Sequence, residues 1–440
     1  MSISKYIRRY SNPIFLSTFI IVSCGGIIRK WTSLPGIITS VIVLATTCAP
    51  FLLILLNKER NRLKLDNKYK NILIIYGTLL LLQAFNPLNL TLFHGIFGFI
   101  IHFSFWYTIF YYLPNRAAFN IKELISIFII ISFIQVGIGL IQYYSEPDSI
   151  WNQTSSINEV INYDEFEEEK DATVDYAFVG TAIRANGLFS YMGGMFGYMI
   201  FHFFLTFATI ILRYPKTITS LLLVIGLIGA LITGSRAVTL IYLIATGAFF
   251  IFQLKRKEEL IMITLSLSAL LFINLILNDP IHINKSIANI YENFIARVDN
   301  NSSEAEERIM APINTLFFFD KISPYFGIGL GSTYPGINSI FGTSPYVANT
   351  PVEHEIGRTL TDGGYILLFF KFFLYATLIR ALNLNRLFSL IVLGTTFLAL
   401  LITTNIYVNY YLLLGIMLLD QAILYSEQTK PFTEGPNMLE

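Results

Sequence analysis

Charged residues are scarce in this chain. Asp, Glu, Lys and Arg together make up 13% of it, against about 25% in soluble domains, which excludes water as the only solvent. Neither sign is in excess: a net charge of +1 provides no basic face of the kind nucleic acid requires. Cysteine is nearly missing. Cys24 and Cys48 both lie in apolar runs, which excludes a disulfide framework and leaves the compartment unread from cysteine. No internal repeat is visible, and this counts against transporters built from two related halves.

Long apolar runs are what the chain does have. A helix needs about 20 residues to cross a ~30 Å hydrocarbon core. Runs of this kind lie near 13–29, 35–56, 71–85, 92–113, 122–142, 185–212, 218–233, 237–254, 260–278, 363–382, 387–403 and 406–424. The expected fold class is an all-α polytopic membrane protein of about 12 transmembrane helices. Lys5, Arg8 and Arg9 ahead of the first run, with Ile21-Val22-Ser23-Cys24 inside it, look like a signal peptide, but the many runs that follow favour an uncleaved span. Eighteen Lys and Arg residues fall on the ends and short loops of one side, against Arg29, Lys30 and Arg236 on the other. That asymmetry puts both termini in the cytoplasm and both long polar segments outside. The expected divisions are a five-span bundle (1–142), an acidic outer loop (143–184), spans six to nine (185–278), a large outer loop between spans nine and ten (279–362), spans ten to twelve (363–424) and a cytoplasmic tail (425–440).

The acidic loop carries ten acids over 143–183 against Lys170 alone. Its run Asp164-Glu165-Phe166-Glu167-Glu168-Glu169 could bind a cation, but runs of like charge are ordinarily solvated and self-repelling. The larger loop, Asp279–Asp362, spans 84 residues. A transporter has little use for so large an insertion on one face; an enzyme acting on a lipid-linked substrate at the membrane surface does.

Arginine recurs at this outer rim. Arg184 closes the acidic loop and opens the sixth span, Arg236 sits in the turn Gly234-Ser235-Arg236, and Arg308 and Arg358 belong to the large loop. A guanidinium offers a planar fork of donors that fits phosphate oxygens bidentately. Several forks facing one cavity would hold a pyrophosphate and stabilise it as a leaving group. Pairing with lipid phosphates or nearby acids is the plain alternative for each, and Arg297 and Arg308 have three glutamates close by.

His354, in Glu353-His354-Glu355-Ile356-Gly357-Arg358, is a candidate general base, and Glu353 or Glu355 could do the same work. If this stretch runs helically into span ten, His354 and Arg358 share a face. Lys371 lies about 12 Å into that span at 1.5 Å per residue, which is costly unless it is paired or faces water; it contacts substrate phosphate or snorkels outward. His94, His102 and His202 are expected to be satisfied inside the bundle. Gly327-Ile328-Gly329-Leu330-Gly331 after Pro324 reads as a tight turn that lets the loop re-enter toward the bundle, since no strand–helix unit surrounds it to make a dinucleotide fingerprint. No Asp-x-Asp pair sits at a span end, so metal-dependent glycosyl transfer is not indicated.

Taken in order, Arg184-x-x-Gly187, Gly234-Ser235-Arg236, Arg308, Pro324-x-x-Gly327-x-Gly329-x-Gly331 and Glu353-His354-Glu355-x-x-Arg358-x-x-x-x-Gly363 resemble the O-antigen polymerase and ligase superfamily of bacterial envelope enzymes. The similarity covers roughly residues 180 to 400. It implies a C-type glycosyltransferase architecture in the inner membrane, acting on its periplasmic side and without metal on glycans carried by undecaprenyl pyrophosphate. Carried over, Arg184, Arg236 and Arg308 would hold the pyrophosphate and His354 would activate the acceptor; Arg358 matches the pattern less closely. The ligase pattern usually reads His-Asn, whereas Glu355 follows His354 here, so Glu353, His354 and Glu355 all stay candidates for the base.

The expected activity is therefore polymerisation of lipid-linked repeat units of O-antigen or exopolysaccharide, with no cofactor and no metal. The expected partners are undecaprenyl-pyrophosphate-linked glycans as donor and acceptor, membrane lipid, and a chain-length regulator protein. A ligase delivering glycan to lipid A core or protein is the nearest rival, and a flippase or transporter of lipid-linked sugars is the rival from another class.

Overall fold

The computed structural model describes residues 38, 51, 65–115, 121–146, 149–152, 178–179, 182–189, 192–235, 238–239, 241–243, 290, 324–334, 337–338, 341–347, 355–382, 384, 389, 392–396 and 406–428. Among them the architecture is helical: α1 (Asn67–Ala84), α2 (Leu92–Asn115), α3 (Ile121–Tyr144), α4 (Met192–Ile211), α5 (Lys216–Ile232), α6 (Glu355–Ala381) and α7 (Ile406–Gln428). A two-residue antiparallel pair, β1 (Phe178–Val179) with β2 (Ala182–Ile183), precedes Arg184. Among the described residues, four helical stretches can by length and composition cross a membrane: Leu92–Asn115, Leu124–Tyr144, Gly194–Ile211 and Glu355–Ala381.

The helices sit close to the apolar runs at 71–85, 92–113, 122–142, 185–212, 218–233, 363–382 and 406–424, with two corrections of boundary. The sixth run does not become helical at residue 185. Its helix begins at Met192, because residues 184–189 hold an irregular path in which Gly187 takes φ 58°. The tenth run gains helix at its N-terminal end, back to Glu355. The runs at 13–29 and 260–278 lie outside the described residues, and those at 35–56, 237–254 and 387–403 nearly so.

Local chemistry sets several ends. The Asp66 side chain caps α1 by accepting from the Lys68 amide at 3.1 Å, filling one of the orphan donors of a first turn. Pro114 falls in the last turn of α2, where its missing N–H removes one helical hydrogen bond.

Between apolar helices in lipid there is little hydrophobic drive, so close packing and polar links hold them together. α7 packs along α4, and α5 packs on α3 and α4. A side chain at Gly415 of α7 would meet the Phe204 ring of α4, so glycine sets the close approach there. Tyr198 and Tyr411 stack edge to face at 5.5 Å, and Ser132 of α3 bonds the Tyr198 hydroxyl at 2.7 Å. α2 is tied to α7 through Tyr112, which donates to Met417 O at 3.3 Å and accepts from Gln421 at 2.6 Å. Tyr375 of α6 packs edge-on against Trp106 of α2 at 4.9 Å. These contacts leave α6 beside α1 and α2.

Candidate functional site

α6 is two segments joined at a break. Gly364 has φ 65° and ψ −165°, a conformation essentially confined to glycine. In a continuous helix the amides of Tyr365 and Ile366 would bond to the carbonyls of Thr361 and Asp362. Here those amides donate to Pro324 O at 2.9 Å and Tyr325 O at 3.4 Å. The two vacated carbonyls accept from Ile328 N at 2.8 Å and Gly329 N at 3.0 Å. The glycine-rich turn thus replaces two helical hydrogen bonds by four of its own, and the buried backbone stays satisfied. Gly327 (φ 61°) and Gly331 (φ 82°) are needed for this fit. A Cβ on the first would strike the Thr361–Gly363 backbone, and one on the second would strike His94 O. Asn86 secures the turn from α1's end by donating to Gly327 O at 3.2 Å, and Ser332 donates to the Asn89 side chain at 3.1 Å.

The break determines which charges meet. Glu355 and Lys371 are 16 residues apart, about 24 Å along a straight helix, beyond the reach of both side chains. Yet Lys371 Nζ donates to Glu355 Oε1 and, at 3.1 Å, to Thr359 Oγ1. The first segment, 355–363, therefore folds back against the second. Arg358 Nη1 approaches Glu355 Oε2 at 3.9 Å, so both cations face one carboxylate. Thr359 in turn donates to Glu355 O at 2.8 Å. A small pocket lies between the segments, lined by Glu355, Ile356, Thr359, Leu368, Lys371 and Phe372. All three charged groups are at most 5% exposed.

Aromatic and imidazole groups complete the surround. The Arg358 guanidinium lies 4.6 Å over the Tyr334 ring, a favourable cation–π placement in a desolvated setting, and its Nε has no hydrogen-bond partner among the described residues. The Tyr334 hydroxyl bonds His102 Nε2 at 3.2 Å. Burial pushes the Tyr334 phenol well above its ordinary range, outweighing the lowering effect of Arg358, so it stays neutral. Asp362, fully buried at the break, accepts from Gly331 N at 3.4 Å.

Three of the sequence-predicted site residues, Glu355, Arg358 and Lys371, come together. Lys371 is paired inside the protein rather than snorkelling outward. Arg184 sits in a different setting. Its Nε donates to Thr233 O at 2.9 Å and its guanidinium lies 5.2 Å over Phe196. Glutamine side chains of α3 fix the stretch that carries it. Gln142 Oε1 accepts from Asn186 N and Gly187 N at 3.1 and 2.8 Å, and Gln135 Oε1 accepts from Leu188 N at 2.8 Å. Thr233 precedes Arg236 by three residues in sequence. Arg236, Arg308, Glu353 and His354 lie outside the described residues.

His94 is satisfied by Thr91 at 2.8 Å and Gly342 O at 3.1 Å. His102, expected only to be satisfied in the bundle, proves to border the charged cluster through Tyr334. Thr359, Asp362 and Tyr334 were not singled out from the sequence. The four-residue spacing of Arg358 and Asp362 and the pair Gly363-Gly364 were the available signals. Among the described residues no group of three or more His, Cys, Asp or Glu could hold a metal ion.

A cation pair buried around one carboxylate, next to a glycine turn, is suited to hold and release an anionic group. A family model described as O-antigen ligase matches residues 221–355, a stretch that runs from α5 to Glu355. No curated protein and no solved structure matches the chain. The helices that can cross a membrane and the family match together support a membrane enzyme of the O-antigen ligase or polymerase type, and over the stretch it covers the match supports the O-antigen polymerase/ligase superfamily.

Proposed function

We propose that the protein polymerises lipid-linked oligosaccharide repeat units at the outer face of the bacterial inner membrane. A sugar hydroxyl on one unit attacks the anomeric carbon of the glycan on another. The new C–O bond forms as the bond to undecaprenyl pyrophosphate breaks, and the hydroxyl proton passes to a base among Glu353, His354 and Glu355. Arg358 and Lys371 take the charge of the departing pyrophosphate, with Arg184, Arg236 and Arg308 as further clamps. Donors placed before charge develops stabilise it without reorganisation. The scheme requires no metal and no organic cofactor.

The observation that carries this reading is the convergence of Lys371 and Arg358 on Glu355. The test is elongation of lipid-linked repeat units in isolated membranes. Arg358→Ala, and separately the double variant Arg236→Ala with Arg308→Ala, should each slow elongation by about 10²-fold or more. Full-length polymer at the normal rate from either variant would sink the proposal.

The matching family is that of O-antigen ligases, which favours a second reading, transfer of finished glycan to lipid A core or to protein. A deletion strain separates the two. Loss of a polymerase leaves single repeat units on the surface, and loss of a ligase leaves none.

A further inference from the structure

The same carboxylate occupies both cations. Glu355 accepts from Lys371 and stands 3.9 Å from Arg358, and its Oε2 has no hydrogen-bond partner among the described residues. Arg358 Nε is also left over. This is an incomplete arrangement for a purely structural ion pair, since buried charges are ordinarily paired and hydrogen-bonded through all their polar atoms. Two cations around one carboxylate leave donor capacity that a second anion can take.

We propose that Glu355 is a built-in competitor for the pyrophosphate of the lipid-linked substrate: it neutralises Lys371 and Arg358 in the free protein and is displaced when the pyrophosphate binds. This rests on the glycosyl-transfer reading for the identity of the ligand. The displacement has two effects. The incoming anion finds cations already oriented, Lys371 by Thr359 and Arg358 by the Tyr334 ring. The released carboxylate, still negative and now beside the reacting centre, is positioned to accept the proton of the attacking hydroxyl. Glu355 also links the two segments of α6 through Lys371, so binding of the anion loosens that link and couples occupancy to the Gly364 break.

A competitor and a structural pair predict opposite results when the carboxylate is neutralised. Purified protein in phosphatidylcholine nanodiscs would be titrated with inorganic pyrophosphate by calorimetry, with thermal melting to verify folding. Glu355→Gln should bind pyrophosphate about tenfold more tightly than the unaltered protein, and Glu355→Asp should fall between. Where Glu355→Gln does not fold, Glu355→Asp carries the comparison. Arg358→Ala should lose the binding. With a lipid-linked donor, Glu355→Gln should lower KM and lower kcat together, a split that a merely structural role does not produce.

Unchanged or weaker pyrophosphate binding in the folded variants would overturn the proposal. So would tighter retention of phosphatidylglycerol from mixed nanodiscs with no change for pyrophosphate, which would assign the site to a lipid headgroup. If pyrophosphate binding tightens as stated while the unaltered protein transfers no glycan, the competitor stands and the transferase reading falls.

Discussion

Among the described residues, two irregular stretches are buried, and they keep their backbone satisfied in different ways. At the α6 break the solution is backbone to backbone: the 324–329 turn trades hydrogen bonds with residues 361–366. Before α4 it is side chain to backbone: Gln135 and Gln142 take the amides of residues 186–188, and Gln142 returns a donor to Gly187 O at 2.8 Å. The first stretch carries charges that face one another; the second carries Arg184 bound to a carbonyl. Non-helical backbone at such depth is tolerated only where protein or a polar cavity covers it. The difference separates shape from charge: a glycine turn folds a helix back on itself and gathers ions, whereas an amide clamp fixes one guanidinium in place.

Substitutions can test that contrast. Gly364→Ala should cause the largest loss, about 3–5 kcal/mol of stability, because it combines a glycine-only conformation with overlap against the Tyr325 backbone; unfolding in mixed micelles measures it. Lys371→Met should cost about 3–5 kcal/mol by stranding Glu355. The double change Glu355→Leu with Lys371→Leu should recover much of that loss, which a double-mutant cycle reads directly. Gln142→Ala should cost about 2–3 kcal/mol, since it leaves buried amides without acceptors, and should reduce activity through Arg184 without altering the α6 cluster. Asn86→Ala, which removes one hydrogen bond to the turn, should cost about 1 kcal/mol. If Gln142→Ala proved more damaging than Gly364→Ala, the ordering of the two regions would be reversed.

The sequence disclosed the two regions unequally. Apolar run length located most of the described helices to within a few residues, because helix length in lipid is fixed by hydrocarbon thickness. The glycines at 327, 329 and 331 announced a tight turn, since positive φ is a local property of glycine. The partner of that turn was not readable, because the hydrogen-bond exchange joins residues far apart in the chain. The partner of Lys371 was not readable for the same reason: treated as one straight span, the segment kept it away from Glu355. The amide clamp left no trace in the sequence, as Gln135 and Gln142 look like ordinary polar residues on an apolar helix. Arginine was visible by type and position, and among the described residues Arg358 is the one that meets the predicted Glu355, which Lys371 also contacts.

The central claim is that the break at Gly364 folds the start of α6 onto its middle and brings both cations to one carboxylate. Cross-linking of Thr359→Cys with Lys371→Cys by a bis-thiol reagent too short to span the ~18 Å of a straight helix, in protein with Cys24 and Cys48 replaced by serine, tests it most directly. Efficient cross-linking is predicted, since the Lys371 side chain reaches Thr359 Oγ1 at 3.1 Å. Failure to cross-link, with spin labels at the same positions about 18 Å apart as in a straight helix, would contradict it.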